Sequence, residues 1–167
     1  PHEIIQQNIL GAAAKAKTRI LNILVLGMMA GSFIAMGAQS SSLAVHHISN
    51  IGLARTLAGC IFPVGLMMIV FVGGELFTGD CMMSMAWMQR KIHFADMLRT
   101  LVLVYVSNFV GAALIAFLVA HSGQYDYSSG ALGAYTIKVA YGKVHLSFAN
   151  ALVSGILCNI LVCVAVL

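Results

Sequence analysis

The sequence feature that most constrains the fold is a run of eight residues at positions 73–80, GGELFTGD. It lies within an apolar segment that contains no basic residue between Thr56 and Arg90. Inside a membrane, backbone that is not helical must be buried in protein or must line a water-filled cavity. Glycine in a helix interior costs roughly 0.5–1 kcal/mol relative to alanine, so three glycines in this run favour a break in the helix.

Two interpretations of this run are open. An ionisable group inside a membrane indicates a functional site. The first interpretation is therefore a broken helix whose exposed backbone and Thr78 face a permeation path. The second is a glycine-rich packing surface in which Glu75 is paired with a neighbouring side chain.

The composition indicates an integral membrane protein. The chain is 60% hydrophobic and only 8% charged, whereas soluble domains carry about 25% charged residues. A soluble fold of 167 residues could not bury so much apolar surface. The net charge of +4 comes from nine scattered basic residues, so no nucleic-acid partner is expected.

Four apolar segments are long enough to cross a bilayer, which requires about 20 helical residues. They are residues 20–38, 56–88, 96–121 and 146–167. The second is too long for one plain span, and we predict that it forms a half-helix, a break and a second half-helix. The intervening residues 39–55 and 122–145 are expected to be polar loops. Gly27 and Gly31 form a small-xxx-small pattern that allows close helix contact.

Residues 1–19 are predicted to form a cytoplasmic amphipathic helix that precedes a transmembrane domain at 20–167. No cleavable signal peptide is apparent. The apolar stripe of this helix is expected to be Ile4, Ile5, Ile9 and Leu10. Lysine and arginine in short loops mark the cytoplasmic side, and six of the nine fall on one side, which places the N-terminus inside. These six are Lys15, Lys17, Arg19, Arg90, Lys91 and Arg99.

Few polar side chains lie in or beside the predicted spans. Thr78 either lines a path or bonds back to its own helix. A carboxylate on an anion path would repel the anion, so Glu75 is expected to accept hydrogen bonds from loop N–H groups. Asn108 is expected to bond across helices. Lys143, just before the fourth span, either extends to the membrane edge or concentrates anions at a pore mouth.

Enzymatic motifs find no support in the sequence. There is no Ser/His/Asp set, no carboxylate pair at glycosidase spacing and no phosphate-binding loop. The four cysteines lie in apolar segments without metal-site spacing, so neither a metal nor a cofactor is expected. The alternative function is a membrane-anchor subunit of a redox complex that binds haem or quinone. A haem site would need two histidines at matching depth within spans, and none is convincingly placed.

Two motifs resemble the signatures of the formate/nitrite transporter family. The first is GELFTG at 74–79, and the second is GILCNILVCVA at 155–165. Lys143 stands sixteen residues before Asn159, as the family's vestibule lysine stands before its pore asparagine. The resemblance covers residues 20–167.

The resemblance implies an all-α, aquaporin-like membrane fold of six helices in two inverted halves, with the second helix interrupted. It also implies a plasma (inner) membrane homopentamer with one pore in each subunit. The pore would pass formate, nitrite, hydrosulfide or similar monovalent anions, or their neutral acids, in a pH-dependent manner. The residues expected to line or narrow it are Phe62, Leu66, Leu76, Phe77 and Val162.

The remaining roles implied by the resemblance concern polar groups. Thr78 would offer its hydroxyl to a central site, and Lys143 and Asn159 would attract and polarise the anion. One departure is that the family's pore histidine, in the fifth helix, has no match among the six histidines here. Only the first four of six spans are present, so the sequence is expected to be a fragment that ends with the fourth span.

Overall fold

The computed structural model describes residues 2–167. Within this range the chain is entirely helical, with nine α-helices and a short 3-10 helix at Gln124–Asp126. The α-helices are α1 (His2–Lys15), α2 (Ile20–Val45), α3 (Ile51–Ile61), α4 (Pro63–Val72), α5 (Phe77–Asp80), α6 (Met83–Met88), α7 (Phe94–His121), α8 (Ala131–Val144) and α9 (Phe148–Val166).

Four stretches of helix are long and apolar enough to cross a membrane, which confirms the predicted number of spans. They are α2, the nearly continuous pair α3 and α4, α7 and α9. The predicted loop at 39–55 is wrong in extent, because α2 continues to Val45 and α3 begins at Ile51. One of its polar residues forms a contact across the fold: the Gln39 amide donates to Gln124 Oε1 at 2.8 Å.

The second span is interrupted where the sequence predicted. Pro63 begins α4 in a position where its missing N–H breaks no hydrogen bond. Gly73 ends α4 in a left-handed conformation with φ 76°, which glycine adopts without strain. The chain then runs without helix to Leu76, and α5 and α6 complete the segment.

Glycines allow α2 and α7 to pack closely, which confirms the small-xxx-small prediction. A Cβ atom at Gly31 would collide with the Asn108 backbone, and one at Gly111 would collide with the Met28 carbonyl. A side chain at Gly27 would collide with Ser107. The backbones of the first and third spans therefore touch, and this pair is the frame on which the interrupted segment is mounted.

The N-terminal helix α1 packs on α6, but the predicted apolar stripe is largely wrong. Ile9 is buried, whereas Ile4, Ile5 and Leu10 are 37–67% exposed. The buried face continues from Ile9 through Ala12 and Ala16, which contact a cluster of Met83, Ala86, Ile92 and Met97. Alanines let α1 approach α6 closely. The predicted stripe contained only large apolar side chains and therefore missed these small ones.

The predicted polar loop at 122–145 is wrong, because most of it is helix α8. The glycines that indicated a loop have other roles. Gly130 precedes the helix with φ 83°, and a Cβ atom at Gly133 would lie 3.1 Å from the Tyr125 carbonyl oxygen. Leu132 is completely buried and anchors α8 to the bundle.

Candidate functional site

The break between α4 and α5 leaves peptide groups that no helix satisfies. The N–H groups of Gly73 and Gly74 both donate to the Ile69 carbonyl at 2.9 Å, which closes the end of α4. The Glu75 N–H donates to the Leu26 carbonyl of α2 at 3.3 Å. The break is therefore held by hydrogen bonds to its neighbours and is not an open loop.

Asn108 of α7 clamps the break with both ends of its side-chain amide. Its Oδ1 accepts from the Phe77 N–H at 3.0 Å. Its Nδ2 donates to the carbonyl oxygens of Glu75 at 2.9 Å and Gly27 at 2.8 Å. The expected hydrogen bonding across helices is confirmed, and it joins α2, α7 and the interrupted segment at one residue.

Two carboxylates flank the break and share one cation. Lys15 Nζ lies 2.5 Å from Glu75 Oε2 and 2.7 Å from Asp80 Oδ1. The Glu75 and Asp80 side chains are only 10% and 1% exposed, whereas that of Lys15 is 41% exposed. The expectation that Glu75 accepts from loop N–H groups is therefore wrong, since its partner is the ammonium of α1.

The electrostatics of this triad favour a charged lysine. Burial lowers the pKa of Lys15, but the Asp80 and Glu75 carboxylates outweigh this effect, so its pKa lies above the usual 10.5. Sequence reasoning missed both Lys15 and Asp80 as parts of the site. Sixty-five residues separate them, and no local pattern relates side chains so far apart.

A cavity of about 280 Å³ opens beside the break. Three of the predicted constriction residues, Leu66, Leu76 and Val162, line it together. Its wall also includes the exposed backbone of Gly73 and Gly74 and the carboxylates of the Lys15 triad. Apolar side chains from α4 and α9 thus line the same cavity as the glycine backbone of the break.

A second cleft, of about 620 Å³, lies between the break, α7 and α9. Phe77, Thr78 and Asn159 line it, as does Tyr105, which sequence reasoning missed. Tyr105 packs edge-on against Phe77 with ring centroids 5.4 Å apart. A tyrosine inside an apolar span was the only signal that could have indicated it.

The hydroxyl and the carbonyl group of Thr78 lie between the break and α9. Its Oγ1 is buried and has no hydrogen-bond partner among residues 2–167. Its carbonyl oxygen lies 3.2 Å from Cys163 Sγ, which is also 3.6 Å from Asn159 Oδ1. The alternative in which the Thr78 hydroxyl donates to a carbonyl of its own helix is therefore not observed, because Oγ1 has no partner.

Phe62 and Lys143 are not brought to these two cavities. Phe62 joins α3 to α4 and is 43% exposed. Lys143 lies in the last turn of α8, with its side chain exposed. Six of the eight predicted site residues therefore meet around the break, and these two lie apart from it.

Within residues 2–167 the structure contains no group of three or more His, Cys, Asp or Glu side chains that could hold a metal ion. The described histidines lie at helix ends or outside the four spans. The paired intramembrane histidines that a haem anchor requires are thus not found in this part of the chain.

Comparison with known proteins identifies the family. The formate/nitrite transporter family model matches residues 2–167. The chain is 36% identical over 171 residues to the formate channel BtFdhC of Bacillus thuringiensis, covering 99% of this chain and 64% of that protein. It is 34% identical over 161 residues to the formate channel FocA of Haemophilus influenzae, covering 93% of this chain and 55% of that protein.

A solved structure shows the same fold. It is described as a pentameric formate channel with formate bound, and it superposes with a TM-score of 0.77 at 28% identity over 88% of this chain and 58% of that one. The chain thus spans less than two thirds of the length of these relatives. The all-α membrane fold with an interrupted second span is confirmed, and the chain belongs to the formate/nitrite transporter family.

Proposed function

We propose that this chain forms part of a channel for small monovalent anions, namely formate, nitrite and hydrosulfide, or for their conjugate acids. The observation that carries the proposal is the pair of cavities around the break. Apolar Leu66, Leu76 and Val162 line one of them together with the Lys15 triad. Asn159 lines the other with Thr78, whose hydroxyl is buried and has no partner among residues 2–167.

The chemistry of these surfaces suits a weak acid. A bare anion pays a large desolvation cost between apolar side chains, whereas its protonated form pays much less. Hydrogen-bond donors at Thr78 and Asn159 would hold the solute in the wider cleft, and Leu66, Leu76 and Val162 would restrict passage to small solutes. Phe62 and Phe77 would add to the constrictions, and Lys143 would collect anions at the outer mouth.

The location and assembly form part of the same proposal. Residues 20–167 would be the transmembrane channel domain, in an inner (plasma) membrane, with residues 1–19 as a cytoplasmic helix. The side that carries most lysines and arginines would face the cytoplasm. A homopentamer is supported by the pentameric formate channel that shares the fold. We assign the protein no enzymatic step.

Uptake into proteoliposomes tests the proposal. Formate, nitrite and hydrosulfide are each added outside at several pH values, and influx is compared with that of protein-free vesicles. We expect influx to rise as the external pH falls, because the neutral fraction of each acid rises. Flux no greater than in protein-free vesicles for all three solutes would overturn the proposal.

A further inference from the structure

A basic pocket lies at the end of the bundle, in the turn that joins α6 to α7. It has a volume of about 270 Å³ and is lined by Trp87, Arg90, Lys91, Ile92, His93 and Phe94. None of these residues contributes to the cavities around the break. The pocket combines two cations and a histidine with two aromatic rings on a small surface.

Two backbone hydrogen bonds close this turn, and Arg90 has a conformation that arginine rarely adopts. The Lys91 N–H donates to the Ala86 carbonyl at 2.9 Å, and the Arg90 N–H donates to the Trp87 carbonyl at 2.8 Å. This is the Schellman pattern, in which glycine usually occupies the left-handed position. Arg90 occupies it here with φ 57°, so the chain carries backbone strain at a position that presents a guanidinium group.

The cations of this pocket have no internal counterion. Both ion pairs among residues 2–167 involve Lys15, so no carboxylate lies within 4.0 Å of the charged nitrogens of Arg90 or Lys91. The acidic residue next along the chain, Asp96, does not line the pocket. Two adjacent unpaired cations favour an anion from outside the chain, and the arginine fork matches phosphate geometry.

The aromatic walls indicate where this pocket lies relative to the bilayer. Trp87 and Phe94 are 43% and 51% exposed, with ring centroids 5.4 Å apart. Tryptophan concentrates at membrane–water interfaces. The 28-residue helix α7 starts at Phe94, and its length of about 42 Å matches a bilayer including its headgroups. Met88 and Leu98, 76% and 49% exposed, extend the apolar surface beside the pocket.

We propose that this pocket binds the headgroup of an anionic phospholipid. Arg90 and Lys91 contact the phosphate, His93 contacts the polar part of the headgroup, and Trp87 and Phe94 pack against the glycerol and upper acyl chain. Basic pockets at the ends of transmembrane helices are suited to this recognition. The occupant is a membrane lipid and not a free ion, because the aromatic walls offer apolar surface that a free phosphate cannot use.

The single tryptophan of the sequence provides the test. The protein is reconstituted in phosphatidylcholine nanodiscs that contain increasing fractions of brominated phosphatidylglycerol or brominated phosphatidylcholine, and tryptophan fluorescence is recorded. A Trp87→Phe variant defines the background. We expect brominated phosphatidylglycerol to quench Trp87 at a lower mole fraction than brominated phosphatidylcholine.

Variants distinguish binding in this pocket from a general attraction of anionic lipid to the positively charged protein. Arg90→Gln should reduce the preference about fivefold, and Arg90→Gln with Lys91→Gln roughly 25-fold. Lys17→Gln with Arg19→Gln removes the same charge from exposed positions near the end of α1 and should leave the preference unchanged. Arg90→Gly removes the same charge and keeps the turn without strain, so it should also reduce the preference about fivefold while the melting temperature stays the same or rises.

Several results would overturn the proposal. Two of these are equal quenching by both lipids and a preference that survives the Arg90 and Lys91 double variant. A third is loss of the preference on addition of inorganic phosphate, because that loss would identify a free-ion site. Trp87 that neither lipid quenches would show that another subunit covers this surface.

Discussion

The side-chain amide of Asn108 lies 2.9 Å from the carbonyl oxygen of Glu75 and also accepts the N–H of Phe77 at 3.0 Å. One side chain of α7 therefore satisfies the peptide groups on both sides of Leu76, in the middle of the break. The amide replaces the helical hydrogen bonds that the glycines remove, which explains how the chain tolerates non-helical backbone at this depth.

Replacing Asn108 with alanine should destabilise the protein by about 2 kcal/mol, since each buried polar group left unpaired costs about 1–3 kcal/mol and alternative partners in a membrane protein reduce the total. Unfolding in mixed micelles measures the loss. Asn22→Ala, at an exposed position of α2, is the matched control and should have little effect. Equal stability of the two variants would show that the clamp contributes nothing.

Replacing Lys15 with methionine leaves Glu75 and Asp80 without their counterion. Breaking a buried pair costs about 3–5 kcal/mol, but Lys15 is partly solvated, so we expect a loss on the order of 2 kcal/mol. Lys17→Met, at an exposed position two residues on, is the control. Combining Lys15→Met with Glu75→Gln and Asp80→Asn should recover part of the loss.

The same ion pairs predict a pH dependence. The pKa of Lys15 is raised in the folded state above 10.5, so its stabilisation is fully present below that value and is lost as the pH rises through the higher folded-state pKa. The stability difference between wild type and Lys15→Met should therefore decrease as the pH rises above about 10. A difference that already decreases between pH 7 and 9 would contradict the assignment.

Thr78→Val should separate transport from stability. The Thr78 hydroxyl has no protein partner among residues 2–167, so its removal should not lower the melting temperature. If it contacts the permeating solute, loss of one hydrogen bond to a charged or polarised group should reduce anion flux roughly tenfold. Thr136→Val is the control, because Thr136 Oγ1 bonds its own helix at Leu132. Undiminished flux through Thr78→Val would remove this residue from the proposed path.

Alanine substitutions at two glycines should change the stability of the protein in opposite directions. Gly31→Ala places a Cβ atom against the Asn108 backbone and should destabilise the protein by about 1–3 kcal/mol through overpacking. A Cβ atom at Gly59 of α3 would meet no heavy atom within 4 Å, so Gly59→Ala should stabilise the helix by up to about 1 kcal/mol. Thermal unfolding of both variants in the same detergent checks the prediction.

The sequence predicted the features that depend on local chemistry. The break followed from Gly73 and Gly74 inside an apolar segment, and the close helix contact followed from Gly27 and Gly31. Helix α8 was missed because Gly130 and Gly133 indicate a loop when their neighbours are unknown. In the fold one of them starts a helix, and the other allows contact with Tyr125.

Long-range pairing was beyond prediction from these residues. Glu75 and Lys15 are sixty residues apart, and neither position reveals the other by spacing. Thr78 and Asn159 were predicted as pore residues only from the family resemblance, because the contact between α5 and α9 requires the complete path of the chain. The pocket at Arg90 gave no sequence signal beyond a short basic pair, since its left-handed turn is visible only in the backbone.

The direct contact between the backbones of α2 and α7 has a mechanical consequence. Asn108 and Leu26, which hold the break, both belong to this tightly packed pair. When the bilayer becomes thinner or thicker, the pair can tilt as one body, as mismatched spans do, and the interrupted segment tilts with it. The spacing between Thr78 and the apolar Leu76 side chain should therefore change little with the thickness of the surrounding lipid.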